Sequence, residues 1–178
     1  MNPETSTHAD WVRDAMTRHE GALMRYAMRF TGDAETARDI VQDTFLRLCD
    51  ADRDKVDVYL APWLYRVCRN RALDVMKKER RMQLLQEGQA ERQPAPGPNP
   101  GAAASNTETG AAVLAAMAVL PEKQQEVFRL KFQDQLSYRE ISDVTGFPVN
   151  NVRYLIHTAL KTMREQLRDR LEPAGAAR

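Results

Sequence analysis

The sequence predicts an all-α protein: two small helical domains joined by a flexible linker. Three observations carry that expectation. Helix formers (Ala, Leu, Arg, Glu, Gln, Met) dominate the 178 residues, while aromatics make up only 7%, a balance that favours helices. Apolar residues recur at helical spacing on both sides of a middle stretch. That middle stretch, residues 87–110, has a different composition: Pro94, Pro96, Pro98 and Pro100 alternate with Ala, Gly and Asn, and Ala102 to Ala104 lead into Ser105 and Asn106. Nothing in it can pack a core. It reads as a partly extended linker spanning roughly 25–30 Å, with a limit of about 80 Å.

The first domain is expected over residues 10–86, with three or four helices. Trp11 to Phe30 carries Trp11, Ala15, Leu23, Tyr26, Ala27 and Phe30 on one face, and Thr31-Gly32-Asp33 breaks the pattern. Ala34 to Cys49 follows with Ala37, Ile40, Val41, Thr44, Phe45 and Leu48. Asp50 to Asp57 reads as a charged loop. Pro62 is placed for the first turn of the next helix, which runs through Trp63, Leu64, Val67, Cys68, Ala72, Val75 and Met76 to about Leu85.

The second domain is expected over residues 111–172. Pro121 opens a helix holding Val127, Phe128, Leu130 and Phe132. Ser137 then caps a short helix, with Glu140 reaching back to complete a capping box. Ile141 and Val144 face inward. Gly146 stands where a helix ends in the left-handed conformation. A last amphipathic helix starts near Val149 and carries Val152, Ile156, Ala159, Leu160, Met163, Leu167 and Leu171. Two helices meeting at such a turn form a helix-turn-helix, whose second helix usually lies in the DNA major groove. DNA is therefore the first partner to expect.

The net charge of +1 excludes a generic polyanion binder. Its distribution says more. From Thr31 to Asp57 acids outnumber bases, whereas Arg66, Arg69, Arg71, Lys77, Lys78, Arg80 and Arg81 face only Asp74 and Glu79. The final helix is basic as well. Segregated charge of this kind suggests two different partners. Cys49 and Cys68 are the only cysteines and form neither a disulfide framework nor a zinc site; both are expected as reduced, buried thiols. The first ten residues have no apolar signal core, and the apolar run Ala111 to Leu120 is shorter than the ~20 residues a membrane helix needs. The sequence thus predicts a cytoplasmic protein. It contains no phosphate loop, nucleophile elbow or His-Glu-x-x-His. No catalytic residue, cofactor or metal is expected.

Three faces could carry binding chemistry. Asp39, Gln42 and Asp43 share one face of their helix. They read either as a solvated surface, with Asp43 paired to Arg47, or as an acidic docking face for a basic partner. On the next basic helix, Arg66, Asn70 and Lys77 line up away from the apolar stripe, flanked by Arg69 and Arg71. Arg and Lys neutralise phosphates, Asn can read a base edge, and Trp63 and Tyr65 could stack on unpaired bases; alternatively the two aromatics are core. On the last helix Asn150, Asn151, Arg153, Tyr154 and His157 occupy the N-terminal half that reaches bases, with Lys161 and Arg164 further along. His157 could equally be an ordinary exposed histidine, with no second ligand at metal spacing.

In this order, and separated by this linker, the three pieces resemble an extracytoplasmic-function sigma factor of bacterial RNA polymerase. Arg38-Asp39-Ile40-Val41-Gln42-Asp43-Thr44-Phe45 is similar to the family's core-polymerase-binding helix, which docks on the beta-prime clamp. Pro62 and Arg66 through Asn70-Arg71-Ala72-Leu73-Asp74 resemble the segment that recognises and melts the minus-ten element. Leu120-Pro121-Glu122-Lys123-Gln124-Gln125-Glu126-Val127-Phe128 with Ser137-Tyr138-Arg139-Glu140-Ile141 resembles the minus-thirty-five domain.

The resemblance implies roles for residues. Asp39, Gln42, Asp43, Leu46 and Arg47 would contact polymerase. Trp63, Tyr65, Arg66, Arg69, Asn70, Arg71, Asp74, Lys77 and Lys78 would contact minus-ten DNA. Asn70 would read a flipped base held by the loop Asp50 to Ala61. Arg139, Asn150, Asn151, Arg153, Tyr154, His157 and Lys161 would contact minus-thirty-five DNA. Two positions depart from the family pattern: Tyr154-Leu155 replaces a Ser-Arg pair, and Pro148 replaces a capping Ser. The implied partners are core polymerase, promoter DNA and an anti-sigma factor, with a monomer when unpartnered. Two rivals stay open. A stand-alone regulator would be a dimer on a palindromic site. A sigma mimic that only sequesters an anti-sigma protein would not need the basic stretch Arg66 to Arg81.

Overall fold

The computed structural model of the chain describes residues 7–86 and 108–171. The described helices form two compact units, and no strand occurs among the described residues. The expected linker falls almost wholly outside them.

In the first unit, α1 runs His8–Thr31 and α2 runs Ala34–Cys49. A single turn α3 (Arg53–Val56) leads through a 3-10 turn (Asp57–Tyr59) into α4 (Leu60–Gln86). α1 starts earlier than the apolar pattern suggested because Thr7 and Asp10 form a capping box. The Asp10 amide donates to Thr7 Oγ1 at 3.2 Å, and the Thr7 amide donates back to Asp10 Oδ2 at 3.2 Å. At the other end Gly32 adopts φ 66°, a left-handed conformation that ends a helix cheaply only at Gly. Asp33 then caps α2, accepting from the Thr36 amide at 2.7 Å. Helix stop, turn and helix start therefore take two residues.

α1, α2 and α4 pack against one another pairwise. Leu23, Tyr26, Ile40, Leu48, Leu64 and Cys68 lie at the centre of this bundle. Tyr26 meets Tyr65 edge-on, with ring centroids 5.1 Å apart, and Phe30 at 5.3 Å. Such aromatic pairs add about 0.5–1.5 kcal/mol each beyond area burial. The segment Asp50 to Asp57 is not the open loop the charges suggested. Asp52 caps α3, and Trp11 Nε1 donates to Asp57 Oδ1 at 2.7 Å. A buried indole needs a hydrogen-bond acceptor, so the segment is drawn onto α1.

In the second unit α5 (Glu108–Ala118), α6 (Glu122–Phe132), α7 (Tyr138–Thr145) and α8 (Val149–Leu171) follow in order. α5 begins three residues before Ala111, taking Glu108, Thr109 and Gly110 into its first turn. α8 packs on each of the other three. Ala116, Met117, Leu120, Ala159 and Met163 form one end of the core, covered by Val113, Phe128 and Leu167. Val127, Leu130, Ile141, Val144, Val152 and Ile156 complete it.

Candidate nucleic-acid interface

The turn between α7 and α8 is built as its residues dictate. The Glu140 amide donates to Ser137 Oγ at 3.2 Å, and the Ser137 amide donates to Glu140 Oε2 at 2.7 Å. Gly146 has φ 76° and its amide returns to the Ser142 carbonyl at 2.8 Å. Pro148 brings no side-chain cap to α8, and Ser142 supplies part of the missing order. Its hydroxyl donates to the Phe147 carbonyl at 2.6 Å, while the Phe147 amide donates to Thr145 Oγ1 at 3.3 Å. The Val152 amide reaches the Pro148 carbonyl at 3.0 Å, so α8 is anchored from its first turn.

That anchoring presents one side of α8. Asn150, Asn151, Arg153, Tyr154, His157 and Lys161 are all exposed, with Val152, Ile156 and Ala159 buried behind them. Tyr154 is 65% exposed and presents its ring to solvent. Arg139 on α7 is exposed as well. Two further side chains adjoin this face that spacing alone did not single out. The Tyr138 ring has Lys131 Nζ 5.3 Å and Arg153 Cζ 5.9 Å from its centroid, and both cations sit within cation–π range. The aromatic at the start of α7 thus gathers a cation from α6 and one from α8.

On α4, Arg66, Asn70, Asp74, Lys77 and Lys78 are exposed, and Trp63, Arg69 and Arg71 are half-buried. Helical spacing places Trp63 one turn before Arg66 and two before Asn70 on the same stripe. A half-buried indole beside two polar groups keeps part of its face available for stacking. Tyr65 does not. It is 3% exposed and packed on Tyr26, so its proposed stacking on bases is corrected: from this position the ring is core. Its place two residues from Trp63 puts it on the bundle side of the helix. The neighbouring segment supplies two apolar side chains that the charge pattern concealed, Val58 at 91% exposure and the exposed Tyr59.

On α2, Asp39, Gln42, Leu46 and Arg47 are exposed and Asp43 is half-buried. Leu46 is 63% exposed, an apolar centre to an otherwise polar face. Asp43 does not take Arg47 as its partner. Arg71 Nε donates to Asp43 Oδ2 at 2.7 Å across from α4. The i,i+4 alternative offers only a few tenths of a kcal/mol, whereas the packed helices already hold Arg71 close to Asp43.

The cysteines also divide. Cys68 is buried, and burial pushes its thiol up to about 12, with the Thr44 hydroxyl pulling slightly the other way. Cys49 is exposed, which corrects the expectation of two buried thiols. It follows Leu48 at the end of α2, where the helix face turns outward, and its carbonyl accepts from His8 Nε2 at 2.9 Å. Among the described residues, no cluster of three or more His, Cys, Asp or Glu is placed to hold a metal, and no helix is long and apolar enough to cross a membrane.

Two family models match the chain: Sigma-70 region 2 over residues 15–82 and Sigma-70, region 4 over residues 110–163. The ECF RNA polymerase sigma factor SigE of Mycolicibacterium smegmatis is 31% identical over 160 residues, covering 89% of this chain but only 60% of that protein. The ECF RNA polymerase sigma factor SigW of Bacillus subtilis is 27% identical over 169 residues, covering 90% of each. The sigma factor RpoE of Bartonella quintana, solved with the anti-sigma factor NepR, has a TM-score of 0.61 at 21% identity, over 92% of this chain and 98% of that one. CnrH, solved in complex with the cytosolic domain of CnrY, has a TM-score of 0.54 at 23% identity, over 88% of this chain and 86% of that one. The two solved structures speak for the fold alone.

Proposed function

The chain belongs to the sigma-70 family, in its extracytoplasmic-function group, and from that membership we propose that it binds bacterial core RNA polymerase and directs it to promoters. It acts in the cytoplasm as a specificity subunit and performs no catalysis of its own. Residues 10–86 are the region 2-like domain, and the region 4-like domain begins with α5 at Glu108, with the linker between them.

The observation that carries the proposal is the match of both family models, in order, to the units that present these faces. Asp39, Gln42, Asp43, Leu46 and Arg47 form the polymerase contact on α2. An apolar centre ringed by polar groups is the usual anatomy of a protein interface. On α4, Trp63, Arg66, Arg69, Asn70, Arg71, Asp74, Lys77 and Lys78 face minus-ten DNA. Arg and Lys hold the backbone, Asn70 reads an extruded base, and Trp63 offers a stacking surface. Val58 and Tyr59 extend that surface. On α7 and α8, Arg139, Asn150, Asn151, Arg153, Tyr154, His157 and Lys161 face the upstream element. An anti-sigma factor is included among the partners. The fold shared with RpoE, which was captured with the anti-sigma factor NepR, supports it.

The test is reconstitution. The purified chain is mixed with core polymerase and fragmented genomic DNA, and the transcripts are sequenced. Discrete new start sites sharing an upstream motif are expected. A folded preparation, free of inhibitor, that yields no new starts would overturn the proposal.

A further inference from the structure

Asp43 belongs to two arrays at once. On α2 it sits among Asp39, Gln42, Leu46 and Arg47. Its carboxylate is nevertheless bound to Arg71, which adjoins Asn70 on α4. The ion pair is half-exposed, with 39% of the Arg71 side chain and 40% of the Asp43 side chain accessible. A pair this open to solvent adds little to stability. What it does fix is direction. Arginine has many rotamers, and one bond from Nε sets where the rest of its planar guanidinium lies.

We infer that Asp43 is a positioning residue for promoter recognition: it holds Arg71 so that the guanidinium meets the DNA backbone in register with the base read by Asn70. The inference rests on the sigma-factor reading above and adds to it. The bond uses Nε, one donor of the five on the guanidinium, and leaves the others for further partners. Asp43 Oδ2 takes the bond. Arg71 is therefore ordered before DNA arrives, and less side-chain freedom is lost on contact. Phosphate contacts carry no sequence by themselves, yet they set the register in which bases are read. Loosening Arg71 should then erode discrimination more than affinity. Removing a carboxylate near DNA would by itself raise affinity for every sequence, so affinity alone is the wrong readout.

The experiment uses holoenzyme reconstituted with core polymerase at saturating concentration. The probes are a single-stranded oligonucleotide carrying the minus-ten motif mapped by transcript sequencing, and a scrambled oligonucleotide of equal composition. The quantity is the ratio of the two affinities. Asp43→Asn is expected to lower that ratio about two- to fivefold, and to lower it no further when Arg71→Ala is already present. Asp43→Glu, which keeps the charge, is expected to retain at least half of the wild-type ratio. It also serves as the second variant should Asp43→Asn fold poorly. A merely structural role would lower the thermal midpoint and affect both oligonucleotides alike. An unchanged ratio in Asp43→Asn, or an equal drop in the Arg71→Ala background, would overturn the inference. Absence of mapped start sites is a different failure: the sigma-factor reading falls first, and this inference with it.

Discussion

At the scale of single residues, neighbours in sequence differ sharply in what their environment permits. Tyr65 and Arg66 are adjacent on α4, yet one is core and the other faces solvent. Cys49 and Cys68 share a chemistry but not a reactivity. Burial holds the Cys68 thiol near 12, so essentially no thiolate forms at neutral pH. A thiol reagent at pH 8 is therefore expected to modify Cys49 alone in the folded protein and both after denaturation. Mass spectrometry of the labelled peptides checks this, and rapid native labelling of Cys68 would contradict the packing described. Asn70→Ala is expected to relax minus-ten selectivity, lowering discrimination at one base position by about 1–3 kcal/mol. An unaltered promoter profile would remove Asn70 from that role.

At the scale of elements, the caps decide where helices begin and end. The Ser137–Glu140 box fixes the start of α7. Ser137→Ala is expected to cost about 0.5–2 kcal/mol, read as a lower midpoint for the second unit's unfolding. In the first unit Asp33 caps α2, and its carboxyl is held below the usual range, chiefly by the Thr36 amide bond. Asp10 in the α1 box is likewise lowered, chiefly by its bond with the Thr7 side chain. A lowered folded pKa means that the cap's contribution is fully present above the unfolded value. It is lost as pH falls through the folded value. The first unit is therefore expected to lose stability below about pH 4. Asp33→Asn, a cap with no charge, should flatten part of that dependence in a thermal-melt series against pH. An identical acid profile in the two proteins would count against the cap.

At the largest scale, the acidic, apolar-centred face of α2 and the basic faces of α4 and α8 are proposed to address partners of opposite charge. Asp39 is the clean test of the first, because unlike Asp43 it is exposed and has no part in the pair with Arg71. Asp39→Lys is expected to weaken binding to core polymerase by about tenfold or more, with the melting temperature retained; unchanged affinity would sink the docking assignment. Arg153→Ala is expected to cost about 1–3 kcal/mol of upstream DNA binding. No effect there would move the upstream contact elsewhere.

Features that follow local rules are legible in the amino-acid sequence alone. Gly32 and Gly146 mark turns because only Gly adopts positive φ cheaply, and Ser137 with Glu140 marks a helix start because the two side chains satisfy each other's backbone. The 3.6-residue period of apolar positions gave the main helices and most of their buried faces, and the faces of α2, α4 and α8 followed from the same spacing. The rest depends on which helices meet. Asp43 had an in-register partner in Arg47 on its own helix, but the packing of α4 on α2 put Arg71 closer. Tyr65 and Trp63 each stood open as a stacking or a core aromatic until α1 supplied Tyr26 for Tyr65 to pack against. Cys49 looked like a core position because its own helix is apolar nearby, but at the end of α2 the folded unit leaves it exposed. The charged segment after α2 read as a loop, and Trp11 on α1 pinned it through Asp57. Gln135 adopts φ 58° between α6 and α7 with no glycine to announce it. There the Leu136 amide returns to the Leu130 carbonyl at 3.0 Å and Lys131 Nζ to the Leu136 carbonyl at 3.2 Å. The bonds that hold the turn offset the strain. Periodicity fixes which way a residue faces on its own helix, whereas its partner is fixed by contacts between helices far apart in sequence, which no local pattern encodes.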